Sequence, residues 1–330
     1  MLTRSPRHAF PILHVQPVDD QHPVLEPTND KAYKRERPLR VGDCPVQRQI
    51  AIMKPPAVLL QYLLPKQALT ALAGKFASAK AGSMTTSVIR WFVRTYRVDM
   101  NEAAESDVAR YGTFNEFFTR ALKPGVRPIA HASLVCPVDG AISQCGALNG
   151  DQVVQAKGHT YSTTALVGGD TSLSAQFTNG EFATIYLSPR DYHRIHMPCA
   201  GQLTRMIYIP GALFSVNPTT AQHVSGLFAI NERVVCVFEC AEGPFVMVLV
   251  GATIVGSMAT VWHGVVNAKR TGAMREWRYD AGVVSLAQGA EMGRFLLGST
   301  VVLLFPKGRA EFPIDWQPAR AVQMGEAMSR

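Results

Sequence analysis

Residues 243–268 read GPFVMVLVGATIVGSMATVWHGVVNA, and none of them carries a formal charge. The stretch is long enough to cross a bilayer, which takes a helix of about 20 residues. Its composition argues against that. It is rich in β-branched residues, is interrupted by Gly251, Gly256 and Gly264, and contains Thr253, Ser257, Thr260 and His263. β-Branched side chains suit strands, and glycine punctuates them. The stretch therefore predicts two or three buried strands and no membrane span.

Short apolar runs broken by Gly, Pro and Asn continue on both sides of it from about residue 134 onward. They fall at 182–187, 205–209, 234–238, 245–250, 253–257 and 300–305. This spacing predicts a compact, mostly antiparallel sheet or barrel-like core. The period changes upstream. Leu69, Leu72, Ala73 and Phe76 share a helical face, and Pro65 suits that helix's start. A second helix over 84–98 groups Met84, Val88, Trp91 and Phe92, with Arg90, Arg94 and Arg97 as a separate stripe. Thr113 and Glu116 have the spacing of a capping box. The fold class expected is α+β, with amphipathic, membrane-associating helices preceding the sheet core. Three regions follow: a loosely attached leader over 1–50, a basic helical region over 51–125, and a β-rich core over 126–330.

The chain has 33 Lys and Arg against 25 Asp and Glu, a net charge of +8, yet only 18% of its residues are charged. The surplus is concentrated in residues 51–100, which hold Lys54, Lys66, Lys75, Lys80, Arg90, Arg94 and Arg97 against the single acid Asp99. Nucleic-acid surfaces are basic and polar, whereas basic residues mixed with apolar runs suit an anionic membrane surface. A solvated Arg face on an ordinary packed helix is the other reading of this segment. The leader holds seven of the 21 prolines and no apolar secretory segment; Arg4 and Arg7 are followed by Pro11 and Pro17. An organelle transit peptide or a start assigned too early are alternative readings of it. Cys44, Cys136, Cys145, Cys199, Cys236 and Cys240 form no CxxC pair and no metal-ligand array, which suggests a reducing compartment.

Three segments could carry chemistry. Gly298-Ser299 opens an apolar run. Glycine permits unusual backbone conformations, and the serine oxygen could close a five-membered ring on the preceding carbonyl. Residues 188–198, SPRDYHRIHMP, gather His193 and His196 with Asp191, Tyr192 and two arginines just after an apolar strand. No third ligand with metal spacing follows them. Residues 136–140, CPVDG, place Asp139 before a glycine, which alone would read as a turn.

Together these segments closely resemble the bacterial, pyruvoyl-dependent phosphatidylserine decarboxylases. The likeness rests on FNEFFTR (114–120), CPVDG (136–140), KGHTYS (157–162), YLSPRDYHRIHMP (186–198), PGALFSVN (210–217) and GRFLLGST (293–300). It runs from about Leu60 to Phe305, and the tail beyond matches only weakly.

The resemblance implies a proenzyme that cuts itself between Gly298 and Ser299 into a β chain, 1–298, and an α chain, 299–330. Ser299 would be the nucleophile, His196 its base and Asp139 the orienting carboxylate. Ser299 would then become a pyruvoyl group, with no metal and no PLP. That group would form a Schiff base with phosphatidylserine and draw off CO2 to leave phosphatidylethanolamine. His193 is the candidate proton donor; His159 is assigned no role. The α and β chains would form a heterodimer, which could itself pair. The substrate lies in an anionic membrane, so the enzyme is expected peripherally on the cytoplasmic face of the cell membrane, without nucleic acid. The alternatives are a serine hydrolase using Ser299, His196 and Asp139, without the G-x-S-x-G elbow, and a non-catalytic anionic-lipid-binding module.

Overall fold

A computed structural model describes residues 55–253, 257–268, 270, 272–296 and 299–329. The expected leader over 1–50, with Cys44, lies outside the described residues.

Helices α1 (Pro56–Leu63), α2 (Lys66–Ser78), α3 (Ser83–Tyr96) and α4 (Phe114–Phe118) come first. Strands follow as β1 (Gly140–Ala147), β2 (Gln152–Ala156), β3 (His159–Ser162), β4 (Glu181–Leu187), β5 (Arg194–His196) and β6 (Gly201–Ile209). Next come β7 (Arg233–Cys240), β8 (Gly243–Val250), β9 (Met258–Thr260), β10 (Gly264–Val265) and β11 (Arg275–Arg278). The last are β12 (Ser285–Leu286), β13 (Glu291–Phe295), β14 (Ser299–Phe305) and β15 (Ala321–Val322). The main antiparallel sheet runs β11-β6-β7-β8-β14-β4-β1-β15, with β12 also on β6. A second sheet runs β10-β9-β13-β5, and β2 pairs with β3. The α+β class and the mostly antiparallel sheet hold, and of the two forms expected the main sheet takes the open one: among the described residues no strand joins β11 to the two-residue β15.

The centre of the main sheet explains the unbroken apolar runs. Alternate residues of a strand face opposite sides. Along β14, Val301, Leu303 and Phe305 enter one core, while Val302 and Leu304 enter another. In β8, Phe245, Met247 and Leu249 join the first core, and Val246, Val248 and Val250 the second. A strand covered on both faces has few positions for a polar residue; Thr300 of β14 and Thr184 of β4 are buried exceptions. Each fully buried apolar side chain contributes roughly 1.5–3 kcal/mol. The 243–268 stretch thus becomes β8, β9 and β10 with turns between them, and among the described residues no helix is long and apolar enough to cross a membrane. The run at 253–257 is different: Thr253 sits in a turn, Ser257 lies outside any strand, and 254–256 are outside the described residues.

Thr113 caps α4 by accepting from the Glu116 backbone N–H at 3.1 Å, while the Glu116 carboxylate accepts from Gly112 N–H at 2.8 Å. The helical face of α3 differs from the one the sequence suggests. Its buried residues are Thr85, Ile89 and Phe92, whereas Met84 and Trp91 are 54% and 57% exposed. The aromatic residues of α4 decide this: Phe92 packs edge-on against Phe114, Phe117 and Phe118, and that contact fixes the helix's rotation.

Candidate active site

Strand β14 begins at Ser299, whose backbone pairs with Leu187 at the end of β4. The chain leaves β4 at Ser188 and turns through a loop that ends in β5. Ser188 donates to the Asp191 carboxylate through both its backbone N–H, at 2.7 Å, and its hydroxyl, at 2.8 Å. The loop is also tied to β13, because Phe295 N–H donates to the His193 carbonyl at 3.0 Å. Register therefore brings the start of β14 and both histidines of the 188–198 segment into one neighbourhood. Gly298 lies outside the described residues.

His193 is fully buried, with its ring centroid 4.0 Å from that of Phe118. Its Nδ1 lies 2.8 Å from the Asp191 carbonyl. A carbonyl only accepts, so Nδ1 carries the hydrogen, and Nε2 of the neutral ring is a bare acceptor. That Nε2 has no hydrogen-bond partner among the described residues. Burial pulls the pKa down to about 3, with the Arg120 charge adding to the fall against the raising effect of the Asp191 carbonyl. At neutral pH, His193 is therefore a neutral ring with Nε2 as its bare acceptor.

His196 follows the same logic. Its Nδ1 meets the Gly289 carbonyl at 2.8 Å, so its Nε2 accepts from the Tyr192 hydroxyl at 3.0 Å. Burial lowers its pKa, partly offset by the Gly289 carbonyl and by the charges of Glu291 and Asp139. Burial also pushes the Tyr192 phenol up to about 12, which keeps it a donor.

Asp139 is 6% exposed and held on two sides. Arg127 clamps it, with Nε 3.0 Å from Oδ1 and Nη2 2.7 Å from Oδ2, and also binds Glu102 at 2.7 and 3.0 Å. Burial pulls the Arg127 pKa down, and the hydrogen bonds to Asp139 and Glu102 more than reverse this. The Met324 backbone N–H adds a bond to Oδ1 at 2.8 Å. The Asp-Gly pair is no ordinary turn: Gly140 opens β1, where a Cβ would lie 2.4 Å from the Tyr186 carbonyl oxygen. No hydrogen bond joins Asp139 to His196 in this arrangement; each side chain is engaged by other partners.

Asp139, Arg127, Arg120 and Tyr192 line a cleft of about 510 Å³. The two histidines are not among its lining residues. His159 stands on the β2–β3 hairpin and is not among the lining residues of the cleft. Among the described residues no group of three His, Cys, Asp or Glu is arranged to hold a metal ion. Sequence reasoning missed Arg127, Glu102 and Tyr192 as partners of the predicted residues. It also undervalued the tail, which pairs with β1 and supplies Met324.

The family profile described as phosphatidylserine decarboxylase matches residues 114–330, so it includes the tail, and a second profile described as PSD matches 56–97. A phosphatidylserine decarboxylase proenzyme of Dechloromonas aromatica (strain RCB) is 71% identical over 272 residues, covering 82% of this chain and 96% of its own length. One from Albidiferax ferrireducens is 70% identical over 274 residues, covering 83% and 96%. One from Polaromonas naphthalenivorans is 71% identical over 276 residues, again covering 83% and 96%. The serine hydrolase and the non-catalytic lipid module find no support among these relatives. The chain belongs to the phosphatidylserine decarboxylase family.

Proposed function

We propose that this chain is a proenzyme that cuts itself between Gly298 and Ser299 and then converts phosphatidylserine to phosphatidylethanolamine and CO2. The observation that carries the reading is the register of β14, which sets Ser299 opposite Leu187, next to the loop bearing two buried, neutral histidines.

In the first stage the Ser299 hydroxyl attacks the Gly298 carbonyl carbon, and the peptide becomes an ester as the bond moves from nitrogen to oxygen. His196 Nε2 takes the hydroxyl proton, for which Tyr192 must give up its present hydrogen bond to that atom. Asp139, whose negative charge already favours the protonated ring of His196, supports the imidazolium that results electrostatically. β-Elimination frees residue 298 as a carboxylate, and hydrolysis of the remaining dehydroalanine releases ammonia and leaves a pyruvoyl group at position 299. The unpartnered Nε2 of His193 fits such a group, because it is a proton acceptor held where water is excluded.

When formed, the pyruvoyl group supplies a carbonyl that condenses with the substrate amine and accepts the electron pair left by CO2. His193 does the proton work. Its Nε2 takes a proton from the substrate ammonium, which must be neutral to react, and returns it to the α-carbon after CO2 has gone. His193 is thus neutral at rest and a donor only within the cycle.

Chains 1–298 and 299–330 stay together as a heterodimer in this reading. Support comes from β14, which lies between β8 and β4 with both faces buried, and from the pairing of β15 with β1. Residues 51–125 form the docking region and 126–330 the catalytic core. Leu60, Leu63, Leu72, Phe76 and Trp91 are all more than half exposed on α1–α3, beside Lys66, Lys75, Lys80, Arg90 and Arg94. That mixture suits the anionic, cytoplasmic surface of the cell membrane, on which the protein lies without spanning.

Intact-mass measurement of the purified protein tests the reading. The expected result is a fragment beginning at 299, lacking a free amine and reactive toward hydrazines. A single uncut chain with full decarboxylase activity would refute it.

A further inference from the structure

Arg120 is 5% exposed, and two of its guanidinium nitrogens, Nε and Nη1, are shielded from solvent with no hydrogen-bond acceptor among the described residues. The third, Nη2, donates to the Arg190 carbonyl at 3.1 Å. The Phe117 ring, 5.5 Å from the guanidinium carbon, offers a weak cation–π contact. Its neighbours are treated differently: Arg127 is fully engaged by Asp139 and Glu102, and Arg194 by Glu291 and the Thr119 carbonyl. Among the described residues no carboxylate lies within ion-pairing distance of Arg120. A buried cation with idle donors is costly, and such a group is ordinarily completed by an anion. Burial accordingly lowers its pKa, even with Asp139, Glu102 and Asp191 near enough to act on it.

The position of Arg120 points to the anion. It lines the 510 Å³ cleft, and it follows Phe118 and Thr119, of which the first packs on the His193 ring and the second accepts from Arg194 in β5. The guanidinium thus lines the cleft, and its charge is felt at the residue assigned the proton work. On the decarboxylase reading above, the substrate offers two anions, a carboxylate and a phosphodiester. A fixed cation on the carboxylate would stabilise the ground state more than a transition state in which that charge is leaving. The phosphodiester keeps its charge throughout, and its phosphorus is three bonds from the α-carbon. We infer that Arg120 is a headgroup-binding residue whose free guanidinium edge takes the phosphodiester of the phospholipid.

The test compares wild type with Arg120→Gln and Arg120→Lys, each first checked for cleavage by intact mass. Kinetics use phosphatidylserine in mixed micelles, with glycerophosphoethanolamine, which keeps the phosphodiester and lacks the carboxylate, as the inhibitor. Arg120→Gln should raise KM and the inhibition constant together, by roughly 10- to 100-fold, with kcat changed much less. Arg120→Lys should recover most of both. A raised KM with an unchanged inhibition constant would assign Arg120 to the carboxylate and overturn the inference. Unchanged values of both would make its partner an anion of the protein itself, such as the carboxylate freed at residue 298, and overturn it equally. If the Gln variant does not mature, wild type still decides: glycerophosphoethanolamine must inhibit at least about tenfold better than ethanolamine, and equal inhibition is fatal. Failure of wild type to cleave or decarboxylate would instead break the decarboxylase reading.

Discussion

The centre of the main sheet and the first three helices use the same apolar residue types to opposite ends. In β8 and β14 the apolar residues from Phe245 to Val250 and from Val301 to Phe305 are at most 1% exposed. In α1–α3, Leu63 is 83% exposed and Leu72 67%. A strand flanked by strands and covered on both faces satisfies its apolar side chains within the protein. A helix covered on one face leaves its remaining apolar residues for something else. Hydrophobicity alone therefore does not locate a core; what decides is whether neighbouring elements cover the surface.

The sharpest way to break this comparison is to disable the residue that begins the buried central strand. Ser299→Ala should abolish cleavage and activity completely while the protein remains folded, as intact mass and circular dichroism would record. Cleavage persisting in that variant would move the nucleophile elsewhere.

His193→Gln should come next, with decarboxylation reduced by about 10²–10⁴-fold and cleavage retained. The same variant tests the pKa. Because the folded value of about 3 lies below the ordinary 6.5, the unfolded chain binds more protons between those values. Stability should therefore fall as pH drops from about 6.5 toward 3, and the variant should show a shallower fall in urea midpoints measured at pH 7, 6 and 5. An unaltered slope would mean that His193 is not held neutral.

Leu303→Ala, in the middle of β14, should cost about 2–5 kcal/mol in denaturant unfolding. A loss below about 1 kcal/mol would show that the strand is less tightly covered than its burial indicates. By contrast, Leu72→Ser, Phe76→Ser and Trp91→Ser should each change stability by no more than about 0.5 kcal/mol. Combined, they should sharply reduce cosedimentation with anionic vesicles, and undiminished binding would remove the helices from the membrane reading.

Some motifs could be read by eye but served structure as much as chemistry. Within KGHTYS, Lys157 and Gly158 both have positive φ, 46° and 78°, and form the two-residue turn that joins β2 to β3. The Asp-Gly pair was legible as a special site, yet its glycine is required by the close approach of Tyr186 rather than by a turn. The capping residues of α4 and most strand positions were legible because they depend on neighbours in sequence. Arg127 and Glu102 were not, nor was the bond from Tyr192 to His196, because each acquires its importance only from a contact that the fold makes.

Sequence alone was enough for the α+β class, the reading of 243–268 as strands rather than a membrane helix, and the identity of the residues proposed for chemistry. These follow from local periodicity, side-chain type and ordered motifs, all carried along one dimension. Only the tertiary structure decided that the sheet stays open, that α3 buries Ile89 and Phe92 instead of Trp91, and that Asp139 is gripped by Arg127 while His196 is held by Tyr192. Arg127 and Asp139 lie 12 residues apart and Tyr192 and His196 only 4, yet the strength of each pairing depends on burial and register, which no local pattern encodes.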